Sequence, residues 1–551
     1  MLKAAICCIA LVLALGGSAD ASVLISTAKT KNVNCSAGVC SPTATNAVLN
    51  RGDLGTMLRA SDVKVTTGAG AVTIAIVSPF AWASAHRLTL DAQHSVSIRS
   101  TVVVRGTGGL TITIEDGDAG AFNFYPGGSI AFWDTASSFV VNGNAYTLVN
   151  DVATLAADIQ SNPSGFYALA KDYDASGDGE YEDAVVMTSL NGTFEGLGHA
   201  IAGLTIETIG GFEVGMFAEV DGIVRDLQLD VSVGCDPEIN AAGAVGALAG
   251  ENNGLLQNIS VSGIISCPFG SNVGGLVGGN GGQIAIVTSS VDIGGAQNLH
   301  YAGGIAGTNT GTIRNTSSSG SLFSGVPAGG LVGSTTGVIQ DSYATGRVSS
   351  VNSVYVGGLA GDASGTILRC FATGDVTGKQ EVGGLVGYGA YLKIDSSFAT
   401  GTATSLHHAG NLVGGGNTVT IVNSYARGAA AGTNAQTGYD GGLVGWFSSY
   451  GGTITTAYST GTPSGGRYAG GSVGYVTSSI SMAQTYWDLD TSGVSNPASG
   501  VGNHANYPGV AGLTDAQMKS GLPAGFNPAI WGLNASINDG YPYLLANPPQ
   551  N

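Results

Sequence analysis

The densest run of possible metal ligands is KDYDASGDGEYED, residues 171–183. Asp172, Asp174, Ser176, Asp178, Glu180 and Asp183 fall at positions 1, 3, 5, 7, 9 and 12 of an EF-hand-like loop, with Gly177 at the sixth, where such a loop turns sharply. Oxygen donors at this spacing suit Ca2+, the one cofactor the sequence suggests. Position 12 is Asp rather than a bidentate Glu and no clear helix follows, so an acidic, solvated turn is the competing reading. A second group is aromatic. Tyr388, Trp446 and Tyr475 each follow a glycine-rich phrase that recurs along the chain, and Tyr391, Phe447 and Tyr450 lie close by in sequence. Residues at one position of a repeat stack along it, so these rings predict a strip that could stack on sugars or anchor a protein. Ordinary corner packing is the alternative.

Five cysteines follow the first 21 residues. Cys35 and Cys40 are near enough to close a small loop. Cys235 and Cys267 are 32 residues apart, close to one repeat period, which predicts a bridge between adjacent coils. Cys370 takes the slot that Ser342, Ser397 and Ser424 hold in neighbouring repeats, and is expected to be unpaired.

Groups for catalysis are scattered. Glycan cleavage needs clustered carboxylates, or a basic group with a cation, along one groove. Asp341, Asp362, Asp375, Glu381 and Asp395 do not recur at one repeat position in neighbouring repeats with a basic partner. His199 reads as part of a turn, and the adjacent His407 and His408 point apart on a strand. Asp488 and Asp490 in YWDLD read as a terminal turn. No nucleophile elbow, phosphate loop or zinc spacing occurs. The expectation is a protein that is not an enzyme.

The elements that would carry these residues follow from one phrase. VGGLVG stands at 273–278 and 382–387, AGGLVG at 328–333 and DGGLVG at 440–445, with looser copies from 214, 245, 302, 356, 409 and 469. The second residues of the ten copies are spaced by 26 to 31 residues. That period marks a stacked repeat. After each phrase comes a Ser/Thr/Val/Ile-rich run in which an aliphatic and an aromatic residue stand four apart: Ile339 with Tyr343, Ile367 with Phe371, Ile394 with Phe398, Ile421 with Tyr425, Ile454 with Tyr458. The composition favours strands over helix, and spacing of four predicts both side chains on one face. Glycine at a fixed place implies a tight corner, needing positive φ or close backbone approach. The fold expected is all-β: a right-handed parallel β-helix of about ten coils of ~28 residues, roughly 48 Å long at ~4.8 Å per coil.

These phrases resemble the GLUG motif, found in secreted bacterial surface proteins and filamentous-haemagglutinin-like adhesins. NGTFEGLGHAIAGLTI (191–206) looks like the opening coil of such regions, and TYWDLDTSG (485–493) followed by AIWGLNASINDGYPYLL (529–545) like their exit. The resemblance covers residues ~146–546. It implies a β-helical passenger and adhesion, and carries no catalytic residues.

Lys3, the apolar run 4–15 and Ala19-Asp20-Ala21 form a secretory signal, with the mature chain expected from Ser22. No second long apolar segment follows, so no transmembrane segment is expected. Glycine, at 90 of 551 residues, is abundant without a collagen period, and 43% apolar content argues against disorder. A net charge of −18 with few lysines argues against nucleic acid.

The domains expected are a signal peptide (1–21), an irregular β-rich region (22–145), a helical and acidic-loop insert (146–190), the repeats (191–484) and a C-terminal cap (485–551). Strands are expected near 62–66, 71–76, 87–90, 95–98, 101–104 and 110–114, a helix over 152–160, and a capping box at Thr514 and Gln517 before Met518. Trp531, Tyr541 and Tyr543 are expected to bury against the last coil. The function expected is that of a secreted or cell-surface adhesin-like monomeric rod, the periplasm being a further possible destination. Its partner would be a surface glycan or protein, met through many weak contacts. The alternatives are a polysaccharide-active enzyme or a module binding polysaccharide or ice on the same scaffold. Thr345, Thr373, Thr400 and Thr460 recur, but Arg427 interrupts a flat threonine array.

Overall fold

A computed structural model describes residues 22–68, 71–115, 121–208, 210–235, 243–267, 272–296, 300–448, 451–478 and 480–549. The expected signal sequence, residues 1–21, and Tyr450 lie outside the described residues. The chain divides into two units, one ending at Leu148 and one beginning at Val149.

The first unit is a stack of coils without the glycine phrase. Ser22–Ser26, Ala47–Asn50, Thr73–Ile76, Ser95–Ile98 and Ala121–Phe124 form one five-stranded sheet, and Phe80–Trp82, Val102–Val104 and Ile130–Phe132 a three-stranded parallel one. A third face includes Val63–Thr66, Arg87–Ala92 and Gly109–Ile114. Inward positions alternate with outward ones, so Ile74, Val96, Leu88 and Leu110 are buried. Helix α1 (Arg51–Ala60) was not foreseen, because Gly52 and Gly55 depress its propensity. Its signals are Asn50, whose side chain accepts from the amides of Gly52 and Asp53, and the buried pair Leu54 and Leu58 four apart. It packs on Phe80–Trp82.

The second unit opens with helix α2 (Val152–Ser161), capped by Asp151 accepting from the Thr154 amide at 2.7 Å. Its buried stripe, Val152, Leu155 and Ile159, joins the solenoid core beside Tyr167 and Leu190. The helix thus covers apolar surface at the start of the stack. Beyond it, each of the ten glycine phrases supplies one strand to a ten-stranded parallel sheet, in register from coil to coil: Val273 opposite Ala302, Gly274 opposite Gly303. Leu276, Leu331, Leu385 and Leu443 of the phrases and Ile339, Ile367 and Ile394 of the following runs are fully buried. The solenoid has more coils than the ten expected: turns lacking the phrase bring the count over both units to about 17. Those turns fill their inward positions with Val, Ile and Phe and do not need the glycine corner.

The phrase glycines are required by proximity, since none has positive φ. A Cβ on Gly274 would collide with the Val277 carbonyl, and one on Gly278 would lie 2.5 Å from the Val245 amide nitrogen of the preceding coil. The chain folds back on itself too tightly there for any side chain. Inside the stack, buried polar groups are paired along the axis. Asn252 donates to Asn280 at 2.6 Å, Asn280 to Asn309 at 2.7 Å, and Asn309 to Thr335 at 3.0 Å.

The aliphatic and aromatic residues four apart do not share a face. The residue midway between them is left-handed in each case: Asp341, Arg369, Ser396, Asn423 and Thr456 have φ of 50°, 51°, 52°, 46° and 51°. That turn sends the aliphatic inward and the aromatic to a separate ladder. Tyr343, Phe371, Phe398, Tyr425 and Tyr458 stack at 4.6, 4.9, 4.8 and 5.1 Å between successive centroids.

The C-terminal segment is not a cap on the last coil alone. Ser481–Asp488 and Val510–Leu513 make a further turn of the stack. Thr514 then caps helix α3 (Asp515–Ser520) through the expected capping box. The chain beyond lies along the side of several coils, covering the aromatic ladder. Trp531 sits 6.1 Å from Tyr425 and 5.9 Å from Tyr458, and Asn547 donates to the carbonyls of Cys370 and Ser396 at 3.3 and 3.2 Å. Trp531 and Tyr541 are buried, while Tyr543 is half-buried. Arg427, which breaks the threonine column, fastens this strap: its guanidinium donates to Asn538 and Asp539, both at 2.8 Å, and lies over the Tyr541 ring.

Candidate functional site

Two outward columns run side by side along the solenoid of the second unit. One is the residue two places before the first glycine of each phrase. Parallel pairing aligns Tyr355, Glu381, His408, Tyr439 and Tyr468 in successive coils. The other is the residue just after each phrase, and aligns Asp362, Tyr388, Gly415, Trp446 and Tyr475. The first column faces out because the adjacent Val356 and Val382 fill the core, the second because Phe447 and Val476, next to Trp446 and Tyr475, do so.

The columns touch. Tyr355 stacks on Tyr388 at 4.8 Å, Tyr439 on Tyr475 at 4.3 Å, and His408 on Tyr439 at 4.5 Å, with rings within 22° of parallel. Trp446 is 6.0 Å from His408, and its Nε1 donates to Thr477 Oγ1 at 3.2 Å. Gly415 makes room for the indole: a Cβ there would lie 3.2 Å from Trp446 Cε3 and 2.8 Å from Glu381 Cγ. The rings are half-buried, so each column presents part of its aromatic surface to solvent.

Polar groups sit among the rings. Glu381 is 8% exposed and its Oε2 has no hydrogen-bond partner. Burial pushes its carboxyl up to about 7. Burial, and then the adjacent His407, pulls His408 down to about 4, so its ring is neutral at physiological pH, and its Nδ1 is unpartnered. Burial also raises Asp362, Tyr355 and Tyr388.

The structure thus brings the predicted Tyr388, Trp446 and Tyr475 into one column and adds a second that sequence reasoning missed. The signal was present: Tyr301, Tyr355, Tyr439 and Tyr468 all stand two residues before a phrase glycine. Phe447 belongs to the core instead, and Tyr391, 72% exposed with φ of 54°, lies outside both columns.

The acidic loop is not a cage. Asp172 Oδ1 meets His199 Nδ1 at 2.9 Å and accepts from the Ala200 amide. Both oxygens of Asp178 accept from tyrosines, Tyr173 at 2.5 Å and Tyr181 at 2.9 Å. Asp174 accepts from the Ser176 amide at 3.1 Å, and Asp183 from Thr208 at 3.4 Å, while Glu180 is on a short strand paired with Ala200–Thr208. The left-handed glycine is Gly179, with φ of 85°, rather than Gly177. The turn is therefore displaced from where an EF-hand loop needs it. Among the described residues, no group of three or more His, Cys, Asp or Glu side chains is placed to hold a metal ion.

Cys35 and Cys40 pair across a hairpin with Cα atoms 4.0 Å apart, and Cys235 and Cys267 join adjacent coils at 4.7 Å. Cys370 is free and buried in the serine ladder, where its amide donates to Ser397 Oγ at 3.0 Å and burial pushes its thiol up to about 12. Glu195 and Asp226 form a buried carboxyl pair beside Arg225, and burial drives Asp226 well up, with the Glu195 charge next. Glu195 is fully buried, so this group pins neighbouring coils and offers no surface to a substrate.

No family model matches the chain, and no curated protein matches it. Among solved structures it is similar to an IgA1 protease, at 18% identity and a TM-score of 0.27, over 60% of this chain and 20% of that one. The match spans far less than two thirds of that protein's length. No helix among the described residues is long and apolar enough to cross a membrane.

Proposed function

We propose that the protein is an exported, adhesin-like structural protein that uses its solenoid as a rigid scaffold for multivalent contact with a surface glycan or protein. The observation that carries this reading is the pair of stacked aromatic columns. Rings fixed by their neighbours lose little entropy on binding, and their repetition from coil to coil allows several weak contacts to act together. The resemblance of the repeat to GLUG-motif surface proteins and the signal-like first 21 residues support export. The role is one of binding rather than catalysis, with no cofactor required.

Two measurements test it. Antibody or protease accessibility on intact cells is expected to find the protein outside the cytoplasm. A glycan and protein panel is expected to show binding that weakens on Trp446→Ala. Purely cytoplasmic protein, or a panel without hits, would refute the proposal.

A further inference from the structure

Toward the N-terminal coils of the second unit the columns lose their rings beyond Tyr301 and reach carboxylates only past Ser334, Thr308 and Gly279. Glu219 is paired with Glu251 on neighbouring coils, in the column that later holds Asp362, Tyr388 and Trp446. Burial raises the Glu251 carboxyl, and the charges of Glu213 and Glu219 raise it further, which places three carboxylates within each other's field. No lysine or arginine occupies either column between Glu213 and Tyr475. Arg467 approaches only the far end, over the Tyr468 ring. The face thus sets the carboxyls of Asp362 and Glu381 among flat rings with no cationic side chain in either column, on a chain of net charge −18. Among the rings, Glu381 is more than nine-tenths buried, lies against Gly415 between Tyr388 and Trp446, and leaves Oε2 without a partner.

From this juxtaposition we infer that the face binds an extended cationic glycan, a polymer of hexosamine units with free amines, with sugar faces on the rings and ammonium groups on the carboxylates. The inference rests on the adhesin-like reading and specifies its ligand. Aromatic rings accept the C–H faces of pyranoses and attract cations through their quadrupole. Coils repeat every ~4.8 Å, close to the length of one sugar in an extended chain, so successive coils can meet successive sugars. A neutral glycan would leave Glu381 Oε2 without a charged partner, and an acidic one would be repelled.

The test uses the full chain, a hexamer of β-1,4-linked glucosamine, its fully N-acetylated counterpart, and polylysine, by calorimetry at low and high salt. The amine hexamer is expected to bind, to weaken as salt rises, and to bind about tenfold more tightly than the acetylated form. Trp446→Ala and Glu381→Gln are each expected to weaken it, also by about tenfold. Tyr391→Ala, outside the columns, is expected to leave it unchanged, and unaltered circular dichroism of each variant shows that the coil stack is intact. Equal binding of both hexamers would overturn the cationic requirement while leaving a glycan-contact face. Polylysine binding as tightly, with the same dependence on Trp446, would overturn the sugar in favour of a basic peptide. No binding of the amine hexamer, where the broader panel gives hits of another class, would overturn this inference alone.

Discussion

Replacing Asp440 with Asn removes a carboxyl from a position that neighbouring coils fill with Val382, Ala409 and Ala469. Asp440 is fully buried. Its Oδ2 accepts from the Gly466 amide at 2.5 Å, and Oδ1 has no partner. The carboxyl fits because Gly432 and Gly466 have no side chains where it lies. Burial pushes its pKa from 3.8 to about 7. The folded state thus holds a proton that the unfolded chain releases near pH 4, and stability contributed by the protonated form falls as pH rises from about 4 to about 7. Three pH units at 1.36 kcal/mol each put the total loss at about 4 kcal/mol. Asn keeps the shape and does not titrate. Urea unfolding followed by circular dichroism is expected to show the advantage of Asp440→Asn growing by about 2 to 3 kcal/mol between about pH 5 and about pH 8. Parallel stability curves for the two proteins across that range would refute the reasoning.

Other outcomes follow from the same geometry. Gly383→Ala forces a Cβ into the Val386 carbonyl and is expected to cost at least about 2 kcal/mol, seen as a lowered thermal midpoint. Cys370→Ser is expected to fold normally, since Ser342 and Ser397 occupy the same ladder, and the wild-type thiol to resist alkylation until the chain is unfolded. Arg427→Ala removes two hydrogen bonds and the contact over Tyr541, and is expected to speed proteolysis of residues 514–549 while leaving the coils protected. Millimolar calcium is expected to give no binding heat, because Asp172, Asp178 and Asp183 are directed to different partners.

The stacked architecture was legible because period and glycine position report the same physical demand: backbones that pass too close for a Cβ. The α3 start was legible from Thr514, and the α2 start from the pair Asn150 and Asp151 ahead of it, of which Asp151 is the cap; such side chains act locally. The aromatic ladder was misread because spacing alone does not reveal a left-handed residue, and Arg369 and Thr456 are not types that advertise one. The strap was missed for a related reason. The burial of Trp531 depends on Tyr425, more than a hundred residues away, and no local pattern encodes that contact. The EF-hand-like run had the right oxygens, but Tyr173 and Tyr181 claim Asp178 and His199 claims Asp172, two of its positions, once the strands form. Half the candidate face, with Tyr388, Trp446 and Tyr475, came from repeat position. The other half lay two residues before the first glycine of each phrase, where Glu381 and His408 interrupt the tyrosines and dilute the pattern.

The most direct test of the functional account compares the wild-type chain with the Tyr388→Ala/Trp446→Ala double variant on one glycan and protein panel. The account predicts that ligands of the wild type are lost or weakened at least about tenfold while the β-rich spectrum is unchanged. An undiminished binding profile in the double variant would show that recognition lies elsewhere on the molecule.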